Sequence, residues 1–346
     1  MHNILLLLGT IIGAGMFSLP LALKNIGILP FSLLLLFLTI ALGIVNFYYF
    51  KVVQKVNKQH QLPGYAGLVL GKRAGFITSL LQLFSTFGAL LAYLIIGGDF
   101  LRHILPVSAF QGSLFFFGLV FYLLLFTGKL LEKFDAFFTY IKVLILSLVI
   151  LGVLWKLDLQ TVPIAHLDGR SLLAYGSVLF ALTGFSIVPR LLKTTHVKGE
   201  IFKAQLVATV VYGLFALGLV RFLQGEAFVF YNPYLNFAFN LAGFFSVLTP
   251  YLMLSWVAYD VFDKDLHFSK PDAIKLTLAV PVFFFLMGVK SFMTVISVTG
   301  GVFLALMAVV ILEMYKKLFP HSTKLLILVL ELVFILGAVA EIVSLL

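Results

Sequence analysis

The chain has 346 residues, of which 62% are hydrophobic and only 11% charged, with no Cys and a formal net charge of +10. A soluble domain is nearer half apolar and a quarter charged, so this composition excludes a soluble enzyme and a nucleic-acid binder, and points to an all-α polytopic protein in a lipid bilayer. Without Cys there are no disulfides and no thiolate metal sites.

Apolar runs of about 20 residues cross a bilayer as helices. Eleven are predicted, over 3–24, 27–50, 76–101, 111–128, 134–156, 171–192, 201–223, 236–262, 272–289, 291–316 and 323–345. No Lys or Arg precedes the first, and Pro20 and further spans follow it. It is therefore expected to be a retained transmembrane helix and not a signal peptide. The connection from Val52 to Gly75 holds Lys58, Pro63-Gly64 and Gly71-Lys72-Arg73 around Tyr65–Leu70. A short interfacial helix is expected there, where basic residues meet anionic headgroups.

The basic residues fall in gaps between the runs. With the N-terminus inside, seventeen lie at inner ends, from Lys51 to Lys324. Six lie at outer ends: Lys24, Arg102, Lys156, Arg170, Arg221 and Lys290. This bias predicts a cytoplasmic N-terminus and an outside C-terminus, in a plasma or inner cell membrane.

Two spans carry the same interruption. Span one holds Gly15-Met16-Phe17-Ser18-Leu19-Pro20, and span six holds Gly184-Phe185-Ser186-Ile187-Val188-Pro189. Five spans apart, the two copies run in opposite directions, which is the trace of an inverted repeat. The expected organisation is a first half over 1–157, a second over 171–317, and an extra helix over 323–346. Gly13 and Gly15 allow span one to unwind and a ligand to approach the backbone. Where that helix restarts, its free N–H groups suit a carboxylate. The Leu182-Thr183-Gly184 break frees carbonyls that suit an ammonium group. Together they would receive an α-amino acid without a charged side chain. Unwound backbone of this kind is expected only where it lines a cavity.

Gly9-Thr10-Ile11-Ile12-Gly13-Ala14-Gly15-Met16-Phe17-Ser18-Leu19-Pro20 resembles the first helix of the amino acid/auxin permease family, within the amino acid–polyamine–organocation superfamily. Further resemblances are Ala92–Asp99 in span three, Phe180–Phe185 in span six, and Ser246, Leu248 and Asp260 in span eight. The resemblance covers spans one to ten. It implies a LeuT-type 5+5 inverted-repeat fold with one additional helix, eleven in all, and secondary transport of amino acids by alternating access. It also implies that Gly13, Ala14 and Gly15, with Met16 beside them, hold the carboxylate. Phe180, Thr183 and Gly184 would hold the amine and shape the side-chain pocket, with Tyr93 as a wall or gate. Phe17, Phe180, Phe185 and Met16 make the pocket apolar and adaptable, which favours neutral amino acids, large or aromatic ones first.

Lys142 lies about eight residues into span five, ~12 Å deep at 1.5 Å per residue. Ionisable residues at that depth are costly and usually functional. Burial disfavours a charged ammonium, so such a lysine can load and release a proton. Lys142 resembles the fifth-helix lysine that, in proton-coupled relatives, takes the place of a bound sodium ion. The sodium alternative rests on Ser246 and Thr249, one helical turn apart in span eight. Yet sodium-coupled relatives often carry Asn where this chain has Gly9. Proton-coupled symport is therefore expected, with no cofactor beyond the gradient.

The other readings are an amino-acid-sensing receptor on the same fold, of nutrient-sensor or germinant-receptor type, and a channel or scaffold. Enzyme motifs are absent: the His residues have no zinc-like spacing, and there is no phosphate-binding loop. Asp99 is expected near the outer end of span three, as a cap or gate, while Glu331 lies mid-span in the last helix, outside the repeat. The sequence does not set an oligomeric state.

Overall fold

The computed structural model describes residues 2–58, 60–124, 162–166, 173–191, 196–266, 268–320 and 324–344. Span five (134–156) and Lys142 lie outside the described residues. The first run is α1 (His2–Ile11), a 3-10 turn (Ala14–Ser18) and α2 (Leu19–Ile26). Then come α3 (Ile28–Val56), α4 (Leu62–Leu70), α5 (Lys72–Arg102) and α6 (Ala109–Leu124). Span six is α7 (Leu173–Leu182) followed by a 3-10 turn (Phe185–Arg190), and span seven is α8 (Val197–Leu219). The rest is α9 (Pro233–Asp260), α10 (Lys270–Leu286), α11 (Phe292–Val298), α12 (Ala305–Leu318) and α13 (Lys324–Val343).

Seven described helices are long and apolar enough to cross a membrane, or eight if the bent pair at the N-terminus is one span. Their outer faces are apolar at helical spacing. On α3, Leu29, Leu33, Leu36, Phe37 and Ile40 are exposed; on α13, Leu325, Leu328, Leu332, Leu336 and Val339 are. Stripes of this kind are tolerable in lipid and not in water. The chain is a multi-pass membrane protein.

One element departs from the all-helical expectation. The run predicted as 201–223 ends in a small antiparallel hairpin, β1 (Leu223–Gln224) paired with β2 (Ala227–Phe228). Gly225 at φ +64 opens its two-residue turn, a position that favours Gly. The connection after α3 forms α4, started by Pro63 in its first turn.

Two compact units are present, one of Met1–Ser85, Pro163–Gly213 and Ser297–Leu346, the other of Thr86–Val162 and Leu214–Ile296. In the first, α7 crosses the last part of span ten so closely that only glycine fits. A Cβ on Gly300 would lie 1.9 Å from the Gly176 carbonyl oxygen, and one on Gly176 would lie 2.0 Å from that of Ser297. Gly300 sits in a π-helical stretch, Thr299–Leu304, that interrupts the span between α11 and α12. We expect Gly300→Ala to lose ~1–3 kcal/mol of stability by overpacking, read as an earlier thermal transition of the purified protein. An unchanged transition would mean the crossing is looser than this.

In the second unit, α5 and α6 cross through Gly98 and Gly112. A Cβ on Gly98 would meet Ser113 Oγ at 2.1 Å, and one on Gly112 would meet the Gly98 carbonyl at 2.5 Å. Around that crossing, Phe116 meets Phe244 and Tyr251 edge-on, and Phe239 gathers Phe100, Phe228 and Phe230. The hairpin is tied to the start of α11 by Glu226. Its Oε1 accepts from Ser291 Oγ at 2.7 Å, and its Oε2 accepts from the Phe292 amide at 2.8 Å. A carboxylate at a helix N-terminus satisfies amides that the helix itself leaves free.

Candidate functional site

The two interrupted helices lie in the first unit. Span one stops at Ile11, turns through extended Gly13 (φ −122, ψ −164), and restarts as the Ala14–Ser18 turn, bent by 45° between its halves. Ser18 Oγ donates to the Gly15 carbonyl at 2.7 Å, and Pro20 enters the first turn of α2, where its missing N–H costs nothing. Span six stops at Leu182, passes Thr183 and Gly184, and restarts at Phe185.

The breaks face each other. A Cβ on Gly15 would lie 2.9 Å from both Ala181 Cα and Phe180 Cδ1, so glycine is what lets span one approach the backbone of span six. Gly184 sits against the Ile11 side chain, 3.1 Å from where its own Cβ would be. A Cβ on Gly13 would meet, among the described residues, just the Thr10 and Ile11 carbonyls, at 3.8 and 3.9 Å. Ala14, Gly15 and Met16 are buried, Phe180 and Thr183 half-buried, and Thr183 Oγ1 donates to the Leu179 carbonyl at 2.6 Å. Seven of the expected site residues (Gly13, Ala14, Gly15, Met16, Phe180, Thr183 and Gly184) thus belong to one unit.

Tyr93, on α5, and Ser246 and Thr249, on α9, belong to the other unit and are buried there. Ser246 Oγ has no hydrogen-bond partner among the described residues. The second unit also holds a cavity of about 300 Å³, lined by Asp99, Arg102, Glu226 and Lys290 with apolar neighbours. Asp99 is held by Arg102 Nε at 2.7 Å.

Span seven contributes what the sequence reading missed. The Tyr212 hydroxyl donates its one proton to the Ile11 carbonyl and lies 3.1 Å from the Ala181 carbonyl, so one phenol sits against both breaks. Gln205 Nε2 donates to the Leu182 carbonyl at 3.0 Å. Carbonyls expected to stand free for an ammonium group are therefore partly taken. Buried backbone acceptors need partners, and α8 supplies them. Gln205, Thr209 and Tyr212 are spaced i, i+4, i+7, which puts them on one face of the helix. That polar stripe in an apolar span was the readable signal.

At its N-terminal end, α1 is anchored by Asn3 Nδ2 donating to Glu200 Oε2 at 2.8 Å. Glu331, unassigned by sequence, pairs with Lys316 Nζ at 3.6 Å, and Lys316 also donates to Glu313 at 2.8 Å. Among the described residues, no group of three His, Asp or Glu gathers to hold a metal ion.

Residues 1–222 match the family described as transmembrane amino acid transporter protein. A search of curated protein sequences returns no match. Among solved structures, the chain is similar to the Eremococcus coleocola manganese transporter in complex with an aromatic bis-isothiourea substituted compound. The TM-score is 0.69 at 12% identity, covering 99% of this chain and 85% of that one. It is also similar to MhsT in complex with L-phenylalanine, with TM-score 0.67 at 16% identity, covering 99% of this chain and 97% of that one. Both neighbours have the LeuT-type fold, and at these identities the likeness is one of fold alone.

Proposed function

Since this chain belongs to the transmembrane amino acid transporter family, we propose that it is a secondary active transporter that carries neutral amino acids, large or aromatic ones first, together with protons. The observation that carries this reading is the apposition of the two breaks, with Gly15 against Ala181 and Phe180. It leaves the restarting ends of two helices, with no charged residue among 11–18 and 180–187, to meet an α-carboxylate and α-ammonium. Apolar Met16 and Phe180 beside them favour an apolar substrate side chain. The 5+5 repeat with an extra helix, eleven spans in all, a cytoplasmic N-terminus and residence in the cell membrane belong to the same reading. Lys142 is its proton carrier.

A panel of amino acids presented to proteoliposomes, with pH or sodium gradients imposed separately, tests it. Saturable uptake of phenylalanine or leucine is expected under an inward proton gradient, and is expected to collapse with a protonophore. Preferential uptake of arginine or glutamate would sink the substrate assignment. Sodium coupling is the second reading, favoured by the unpartnered Ser246 oxygen beside Thr249 on α9. Uptake that follows sodium and ignores pH would select it.

A further inference from the structure

The last helix carries a carboxyl group that the transport reading does not use. Glu341, on α13, is 0% exposed. Its Oε1 lies within hydrogen-bond distance of Ser297 Oγ at the end of α11. Its Oε2 rests on bare backbone at Gly301, 2.7 Å from where a Cβ would be. Ser297 Oγ is also 2.6 Å from the carbonyl of Leu173, the first residue of α7. Three residues of one unit, Leu173, Ser297 and Glu341, thus meet at this hydroxyl.

A serine hydroxyl has one proton. The Leu173 carbonyl can only accept, so Ser297 donates to it. The remaining contact, between Ser297 Oγ and Glu341 Oε1, then needs a proton on Glu341. The surroundings agree. A carboxylate taken out of water is costly unless a cation or several donors meet it. The described residues of Thr299–Leu304, α7 and α11 include no Lys, Arg or His: beside Ser297 they present to Glu341 the Gly176 backbone and one titratable group, the Tyr175 phenol, while on α12, which also packs against the last helix, Lys316 pairs with Glu313 and Glu331.

We propose that Glu341 is a proton-binding site: as the neutral acid it donates to Ser297, and the docking of the last helix on the half-helix that begins at Leu173 depends on that proton. Because α7 runs from Leu173 to the break at Leu182, the proton on Glu341 stabilises one wall of the substrate site. Its loss leaves a carboxylate that no cation among the described residues meets, between closely crossing helices. This consequence for transport rests on the proposed function, whereas the protonation itself does not.

The test is infrared difference spectroscopy of the full-length protein in lipid vesicles, titrated toward alkaline pH, with uptake measured in parallel. The wild type is expected to show a carboxylic-acid carbonyl band near neutral pH that Glu341→Gln lacks. Its uptake is expected to fall on the alkaline side, where Glu341→Gln, always neutral, keeps its activity. A band unchanged in Glu341→Gln overturns the proposal. If that variant does not fold, Ser297→Ala replaces it: the carboxyl band is expected to shift because the acceptor is gone, and an unmoved band overturns the proposal. Vesicles that show the band and take up no amino acid would refute the transport reading and leave the proton site standing.

Discussion

Tyr212→Phe is expected to weaken amino acid binding by roughly ten- to a hundredfold, because stripping partners from buried carbonyls costs ~1–3 kcal/mol. The phenol donates to the Ile11 carbonyl and lies 3.1 Å from that of Ala181, at the ends of the two helices whose breaks form the candidate site. Phenylalanine keeps the ring and its packing and removes only the donor. Both helix ends then lose their common anchor, and their separation relaxes. Scintillation proximity or calorimetric binding on purified protein measures the loss, and thermal stability checks that the fold survives. Gln205→Leu, which strips the partner from Leu182 alone, is expected to weaken binding less. Tyr212 and Gln205 act on neighbouring carbonyls, so the double variant is expected to depart from additivity. Wild-type affinity in Tyr212→Phe would mean that the bridge is not part of the site.

Lys142→Ala is expected to abolish uptake driven by an imposed proton gradient while leaving exchange of internal for external substrate in place. Coupling requires a group that is charged on one side of the cycle and neutral on the other, and a lysine deep in an apolar run suits that role. Exchange needs only the substrate site, whose expected residues lie on other spans. Measuring both activities in the same vesicles separates the two steps. If gradient-driven uptake stays at the wild-type level, Lys142 is not the carrier. If exchange is lost as well, its role is in folding or substrate binding.

Much of the fold was legible because the bilayer imposes simple requirements. Apolar runs long enough to span it must be helices, since backbone groups have no water to bond. The positions of α3, α5, α8, α9 and α13 follow the apolar runs to within a few residues. The breaks were legible because Gly-rich, Pro-flanked sequence inside an apolar helix has few other uses. The hairpin at Leu223–Phe228 was not, because two-residue strands carry no periodic signal and Gly225-Glu226 reads as any polar turn. Glu341 was passed over because it sits near the end of the last apolar run, where a charge is usually solvated.

The candidate site divides along the same line. Gly13, Gly15 and Gly184 declare themselves in the sequence, since local backbone freedom depends on the residue alone. The partners of the freed carbonyls do not, since Tyr212 meets Ile11 and Ala181 only once three helices are packed. Sequence by itself determined the solvent, the helices and where two of them break, all of which follow from local composition. Tertiary structure alone decided which of the freed carbonyls Tyr212 and Gln205 meet, why Gly176 and Gly300 admit no side chain, and that Glu341 is buried against Ser297. Those are properties of pairs and triples of residues brought together by packing, and no single position carries them.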